Sequence, residues 1–271
     1  MTRWGQPCSH HQMRQAKWVF IAVLAASAFA WLIWHPALVS PAPARLQLSE
    51  AHASTLAPGV TLRESMETTH SWKVVDFRVD LTQAHLEVGT APGGATLGAL
   101  MPAGAVAGVN GAYFEKDFRP HGWLVDRGQE LHPRNQTSPH HLFAIKGQQV
   151  FGGRWETLDF VPDFAMQNFP LLVENGAARV QPTPRDARFP RTFLCDSGAG
   201  LIHLIVVLPT RDRGPTLVET AGLAALPAFG CRSAVNLDGG PSSGYWLNAA
   251  AGLPFTPPPV RIGHAVAVVP N

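Results

Sequence analysis

Residues 233–243 read Ser-Ala-Val-Asn-Leu-Asp-Gly-Gly-Pro-Ser-Ser, and this stretch decides how the rest of the chain is read. Ser233 to Leu237 has the length and apolar character of a buried strand, which delivers the Asp238 carboxylate to its C-terminal end. Gly239, Gly240 and Pro241 then break the strand, and Ser242 and Ser243 follow with two hydroxyls. Open α/β sheets place ligands beyond strand ends of this kind. A Gly-Gly turn there exposes successive backbone N–H groups as an anion nest, to which the serines add donors. The plainer alternative is an Asp-Gly turn capped by its own serines.

A second corner of similar build lies upstream, at residues 108–114. The small-residue strand Ala105 to Val109 runs into Asn110-Gly111, followed by Ala112, Tyr113 and Phe114. Asn110 brings an amide to a strand end, and Gly111 allows a tight turn with positive φ. An ordinary turn backed by core aromatics is again the alternative.

Strand patterns fill the space around these corners. Lys73 to Leu81 alternates apolar and polar residues as a half-buried strand does, and His85 to Thr90 follows closely enough to form a hairpin with it. Thr96 to Met101 suits a short helix. Gly122–Asp126, Leu142–Lys146 and Leu171–Glu174 read as short strands, the last turning at Asn175-Gly176. Leu201 to Leu208 is apolar enough for a central strand. Thr216 to Phe229 is the best helix, and Val260 to Val269 a closing strand. The expected fold is a single α+β (mixed α/β) domain over residues 61–271, with a multi-stranded mixed sheet and few helices.

Composition narrows the classes. The 271 residues are 46% hydrophobic and 15% charged, too apolar and too weakly charged for disorder. The net charge of +2, and lysines only at 17, 73, 116 and 146, argue against nucleic acid as a partner.

The N-terminal part reads as an export device. Residues 1–17 form a cytosolic tail with Arg3, Arg14 and Lys17, and Trp18 to Trp34 is an apolar run without charge. That asymmetry sends the remainder across a membrane. The run serves as an uncleaved signal anchor, or as a signal peptide cleaved near Ala42 and Ala44. Residues 35–60, with Pro36, Pro41 and Pro43, read as a stiff linker. The expected location is the bacterial inner membrane, single-pass with a periplasm-facing domain, or the periplasm after cleavage. Cys195 and Cys231 fall on the exported part, where thiols pair, and a disulfide or two buried free cysteines fit equally.

The two corners together resemble the phosphodiester glycosidase family. Pro120-His121-Gly122-Trp123, the Gln167–Gly176 segment, Arg191-Thr192 and the strand from Ile262 to Val269 fall in that family's order, so the resemblance spans about residues 73–269. One departure is Ala112, where the family usually has a second glycine. The resemblance implies hydrolysis of a sugar-1-phosphodiester, on an envelope or exopolysaccharide glycan. It implies Asp238 as nucleophile or base, Arg191 as phosphate clamp and Asn110 as sugar or water ligand. Substrate contacts are expected from Gly111, Tyr113, His121, Gly122, Asn236, Gly239, Gly240, Ser242 and Ser243. A second acid, if one is used, has positional candidates in Glu174 and Asp196.

Other residues carry weaker signals. His203, inside an apolar strand, reads as core. His140-His141 reads as a loop pair without further ligands at metal spacing. No cofactor is expected, and the only metal left open is a calcium ion on Asp238 and backbone carbonyls. The competing reading is a non-catalytic envelope protein that binds phosphorylated glycan or peptidoglycan in the same cleft.

Overall fold

The computed structural model describes residues 46–138, 141–211 and 213–271. The cytosolic tail, the anchor and the first part of the linker (residues 35–45), together with His140, lie outside the described residues. Among those described, no helix is long and apolar enough to cross a membrane. Residues Leu46–Asn271 form one compact unit, so folded structure begins well before residue 61.

Three sheets make up the unit, and every strand pairing within them is antiparallel. The first is eight-stranded and contains β1 (His52–Ala57), β2 (Val60–Glu67), β3 (Trp72–Asp80), β11 (Leu171–Glu174), β12 (Ala177–Ala178), β13 (Arg191–Gly198), β14 (Leu201–Pro209) and β15 (Ser233–Asn236), in the order β1-β2-β3-β14-β13-β15-β11-β12. The second contains β6 (Leu124–Asp126), β7 (Gln129–His132), β8 (His141–Lys146), β9 (Gln149–Arg154) and β10 (Phe164–Gln167), in the order β7-β6-β10-β8-β9. The third contains β4 (Ala84–Ala95), β5 (Ala107–Asn110), β16 (Tyr245–Leu247) and β17 (Ile262–Pro270), in the order β16-β5-β17-β4. The expected mixed sheet is therefore replaced by three antiparallel ones. Parallel pairing needs crossover connections, usually helical, and the described residues hold a single α-helix, α1 (Leu217–Ala224).

The main core lies between the sheets. Phe77, Leu204 and Val206 of the first meet Phe143 and Met166 of the second and Val109 and Val266 of the third. The other face of the large sheet, with Val74, Phe193 and Ile205, is covered by Ala221, Leu223 and Ala224 of α1. Covering on both faces explains why β14 is apolar nearly throughout.

Two sequence expectations fail for the same reason. Lys73–Leu81 does not face solvent on one side: Asp76 is buried, its carboxylate accepts from His203 Nδ1–H at 2.8 Å, and it lies 3.8 Å from Arg63. Nor do β3 and β4 form a hairpin. β3 pairs with β2 and β14, whereas β4 pairs with β17. The turn between them carries the chain from one sheet to another, a tertiary choice that local alternation does not encode. Cys195 and Cys231 are joined in a disulfide, their Cα atoms 5.5 Å apart.

Helix α1 is shorter than the expected 216–229 segment, and its N-terminus is tightly capped. Thr216 and Glu219 form a reciprocal capping box. The Asp186 carboxylate accepts from the N–H groups of Leu217 and Val218 at 2.6 and 3.1 Å. This pins the 186–190 segment, which leads directly into Arg191.

Candidate active site

Three strand ends meet at one place. The pairing of Phe193 with Asn236, carried two residues outward along the antiparallel ladder, sets Arg191 opposite Asp238. Leu237 N–H donates to the Thr192 carbonyl at 2.8 Å, which holds that register. The end of β5 is stitched to the same point, since Asp238 N–H donates to the Gly111 carbonyl at 3.0 Å.

Asn110 completes the stitching. Its Nδ2 donates to the Asp238 carbonyl at 2.8 Å and the Gly111 carbonyl at 3.3 Å. Its Oδ1 accepts from Thr192 Oγ1 at 2.6 Å and Gly244 N–H at 3.4 Å. Both donors and both acceptor positions of the amide are thus engaged. Asn110 is buried, and the structure gives it a positioning role in place of the expected contact with sugar or water.

The expected anion nest is likewise taken up internally. Gly239 N–H donates to Asp238 Oδ1 at 2.8 Å and Gly240 N–H to the Pro190 carbonyl at 2.9 Å. The N–H groups of Ser242 and Ser243 donate to the carbonyls of Gly239 and Gly240. Glycine is needed at 240 for its φ of +63°, whereas Gly239 is extended, with φ −118°. At Gly239 a side chain would approach the Pro190 carbonyl at 3.3 Å and Arg191 Nη1 at 3.4 Å.

Gly111 serves a purpose other than the one the sequence suggests. It is not in the positive-φ region. Instead it packs so closely on His264 that a Cβ would lie 2.9 Å from the His264 carbonyl and against the ring. Ala112, the departure from the family pattern, is buried without positive φ. Gly122 is also a packing glycine, its α-carbon facing Gln167.

What remains available is a group of side chains. Asp238 is pushed above the usual carboxylate range by burial, partly offset by hydrogen bonds from Ser242 and the Gly239 N–H. Tyr113 is raised by burial and then by the charge of Asp238, while Arg191 and the bond from Asn236 lower it. Asn236 Nδ2 lies 3.1 Å from the Tyr113 hydroxyl, and the Tyr113 ring rests on Phe169 with centroids 4.9 Å apart. The buried Arg191 is lowered by desolvation. It donates from Nε to the Pro215 carbonyl at 3.2 Å and from Nη2 to the Ala187 carbonyl at 2.7 Å. Its nearby carboxylate is Asp186, at 3.9 Å, and not Asp238. Nη1 is the edge that faces the Gly239 turn.

The remaining expected residues separate into two groups. Ser242 touches the Asp238 carboxyl, while Ser243 Oγ lies 3.5 Å from the Asp238 carbonyl and braces the turn. His121 lies at the rim, its Nδ1 2.6 Å from Glu115 and its N–H on the Tyr113 carbonyl at 2.9 Å. Glu174 and Asp196 pair with Ser233, at the opposite end of β15 from Asp238, and are salt-bridged to Arg179 and Arg232. Neither stands as a second acid beside Asp238. Among the described residues no group of three or more His, Cys, Asp or Glu side chains is placed to hold a metal ion.

Sequence reasoning missed three contributors. Asn168 accepts from Tyr113 N–H at 3.3 Å and donates to the Asn236 carbonyl at 2.6 Å. Thr192 orients Asn110. Phe189, 47% exposed, has its ring centroid 5.9 Å from the Arg191 guanidinium. Asn168 and Thr192 lie in segments that carry the family resemblance but were given no role of their own, and for Phe189 the only signal was its place before Pro190.

Comparison with known proteins agrees with this geometry. The family model described as phosphodiester glycosidase matches residues 103–268. None of the curated proteins compared with the chain matches it significantly. Among solved structures, the zebrafish N-acetylglucosamine-1-phosphodiester alpha-N-acetylglucosaminidase catalytic domain aligns with TM-score 0.59 and 18% identity, over 85% of each chain. A hypothetical protein from Synechocystis aligns with TM-score 0.59 and 14% identity, over 81% of this chain and 64% of its own length. A Burkholderia pseudomallei protein aligns with TM-score 0.51 and 17% identity, over 75% of each chain. At these identities the structural likenesses speak for the fold, and the family match covers more than half of the sequence. The chain belongs to the phosphodiester glycosidase family, hydrolases that act on glycosyl bonds.

Proposed function

We propose that the protein is an exported enzyme that hydrolyses the bond between an anomeric carbon and the phosphate oxygen of a sugar-1-phosphodiester on an envelope or exopolysaccharide glycan. The observation that carries this reading is the half-buried Asp238 carboxyl, opposite Arg191 on the paired strand and near enough to the Tyr113 hydroxyl, which Asn236 holds at 3.1 Å, for its charge to act on that hydroxyl. In this reading Arg191 Nη1 neutralises the phosphate, held in place by its two backbone acceptors. Asp238 attacks the anomeric carbon, directly or by taking a proton from water. The C–O bond breaks with its electron pair passing to the phosphate, which leaves as a phosphomonoester, and water supplies the hydroxyl of the free sugar. A phosphate is a good enough leaving group that Tyr113 can stand where other glycosidases place a second acid. Residues 18–34 hold the enzyme in the inner membrane, with the catalytic domain in the periplasm. If the signal is cleaved, the domain is periplasmic.

The test is sugar release from a panel of sugar-1-phosphodiesters, N-acetylglucosamine-1-phosphate esters first, with Asp238→Ala in parallel. Free sugar and phosphomonoester from the wild type alone support the reading. Tight binding without release by the wild type overturns it in favour of a glycan-binding protein.

A further inference from the structure

A basin of about 510 Å³ on the described surface is lined by Thr69, His70, Ser71, Arg188, Arg211 and Arg213. Three guanidinium groups therefore line one depression. Arg188 is 2.6 Å from Glu219 and shares its charge with it. Arg211 and Arg213 are exposed and form no ion pair among the described residues. His70 stacks on Trp72 and is held by Glu67, whose carboxylate already accepts from the N–H groups of Thr69 and His70. Among the described residues three guanidinium groups line the basin against two carboxylates, Glu219 and Glu67, that touch its lining, an arrangement that favours an anionic ligand.

The basin is continuous in backbone with the reaction centre. Arg191 donates to the Pro215 carbonyl, as does the Phe189 N–H at 3.3 Å. Gly214 packs on the Phe189 carbonyl so closely that no side chain fits there. Segments 187–190 and 213–215 therefore cross, and Arg188 and Arg213 of the basin spring from the same crossing that fixes Arg191. Phe189, at that crossing, faces Gly240 on the site side, its ring 3.8 Å from where a Cβ at Gly240 would stand.

We propose that this basin is an anion subsite for the far side of the scissile phosphodiester, taking a second phosphate or a carboxylate carried by the leaving group. The inference rests on the function proposed above and adds a substrate class: glycans whose aglycone is itself anionic. The wild type then favours an anionic aglycone over a neutral one, and the preference shrinks as salt rises.

The experiment compares two sugar-1-phosphodiesters, one with a neutral alkyl aglycone and one whose aglycone ends in a phosphate monoester. In Arg211→Gln/Arg213→Gln, KM for the anionic substrate is expected to rise about tenfold, while kcat and the neutral substrate are unchanged. Equal effects on both substrates, or none on either, overturn the subsite. Loss of binding to phosphatidylglycerol vesicles with both KM values unchanged assigns the basin to a lipid surface and also overturns it. If neither substrate is turned over, the function proposed above fails, and titration with inorganic tripolyphosphate decides the basin separately. A tenfold weaker Kd in the double variant supports an anion site, and an unchanged Kd overturns it.

Discussion

The side-chain amide of Asn110 donates to the main-chain carbonyl of Asp238 at 2.8 Å, joining residues 128 apart in the chain. The two glycine-bearing corners are thus one object. The first corner holds the backbone of the residue that the second presents. Because the same amide also accepts from Thr192, it fixes the strand that begins at Arg191 as well.

Asn110→Ala is therefore expected to damage both stability and turnover. It leaves the buried Thr192 hydroxyl without its acceptor and the Asp238 carbonyl with only Ser243 Oγ at 3.5 Å, at about 1–3 kcal/mol each. Urea unfolding should show a loss of about 3 kcal/mol, and kcat should fall with little change in KM. A variant of normal kcat would refute the positioning role.

Asp238→Asn separates stability from chemistry. Burial makes the folded chain hold the Asp238 proton more tightly than the unfolded chain does. The charged form consequently costs stability as pH rises through the raised value, and below the unfolded carboxylate value that cost is absent. The asparagine variant should melt higher than wild type at pH 7, with the gain vanishing in acid. Its turnover should drop by about a thousandfold or more. Calorimetry at two pH values and the release assay check both halves.

Gly111→Ala tests the close approach to His264. The added methyl group meets the His264 carbonyl and ring, and overpacking of this kind costs about 1–3 kcal/mol. Gly128, in an open turn with nothing within 4 Å of a Cβ but φ of +76°, provides a contrast. Replacement there by Asn, which tolerates the left-handed region, should cost well under about 1 kcal/mol.

His264 should give the protein an acid-sensitive stability. Burial lowers its pKa to about 4, and neither ring nitrogen has a hydrogen-bond partner among the described residues. The unfolded chain takes up this proton near pH 6.5 and the folded chain only near 4, so stability is complete above 6.5 and is lost as pH falls towards 4. The difference amounts to about 3 kcal/mol. Urea titrations at steps across that window should show the slope, and His264→Gln should flatten it.

The disulfide braces the strands that carry the site. Cys195 follows Arg191 on β13, and Cys231 leads into β15 and Asp238. Removing both sulfurs as Cys195→Ala/Cys231→Ala should cost about 3–4 kcal/mol for a loop of this length. The same loss should appear when wild type is unfolded in reductant, and reductant should leave the double variant unchanged.

Much of the strand layout was legible in the sequence because it depends on local pattern. The β14 run, the Asn175-Gly176 turn, with both residues at positive φ, and the strand leading to Asp238 all lie where periodicity and turn chemistry put them. The residues gathered at the corner were legible too, since a carboxylate, glycines and hydroxyls at a strand end form a local signal. By contrast, β1 fell wholly in the expected linker, and β2 begins at its last residue, Val60. Their apolar alternation is short, and pairing with β3 is what makes them strands.

By itself, then, the sequence determined which residues stand at the strand ends and, with the family resemblance, brought Asp238, Arg191 and Asn110 forward as the chemistry-bearing set, with Tyr113 as a substrate contact only. Only the tertiary structure decided how those residues are used. It divided β3 and β4 between sheets, engaged the N–H groups of Gly239 and Gly240, and assigned all four hydrogen-bonding positions of Asn110 to protein partners. The physical reason is that a buried polar group must find a partner, and whether that partner is a ligand or a distant strand depends on what folding brings beside it.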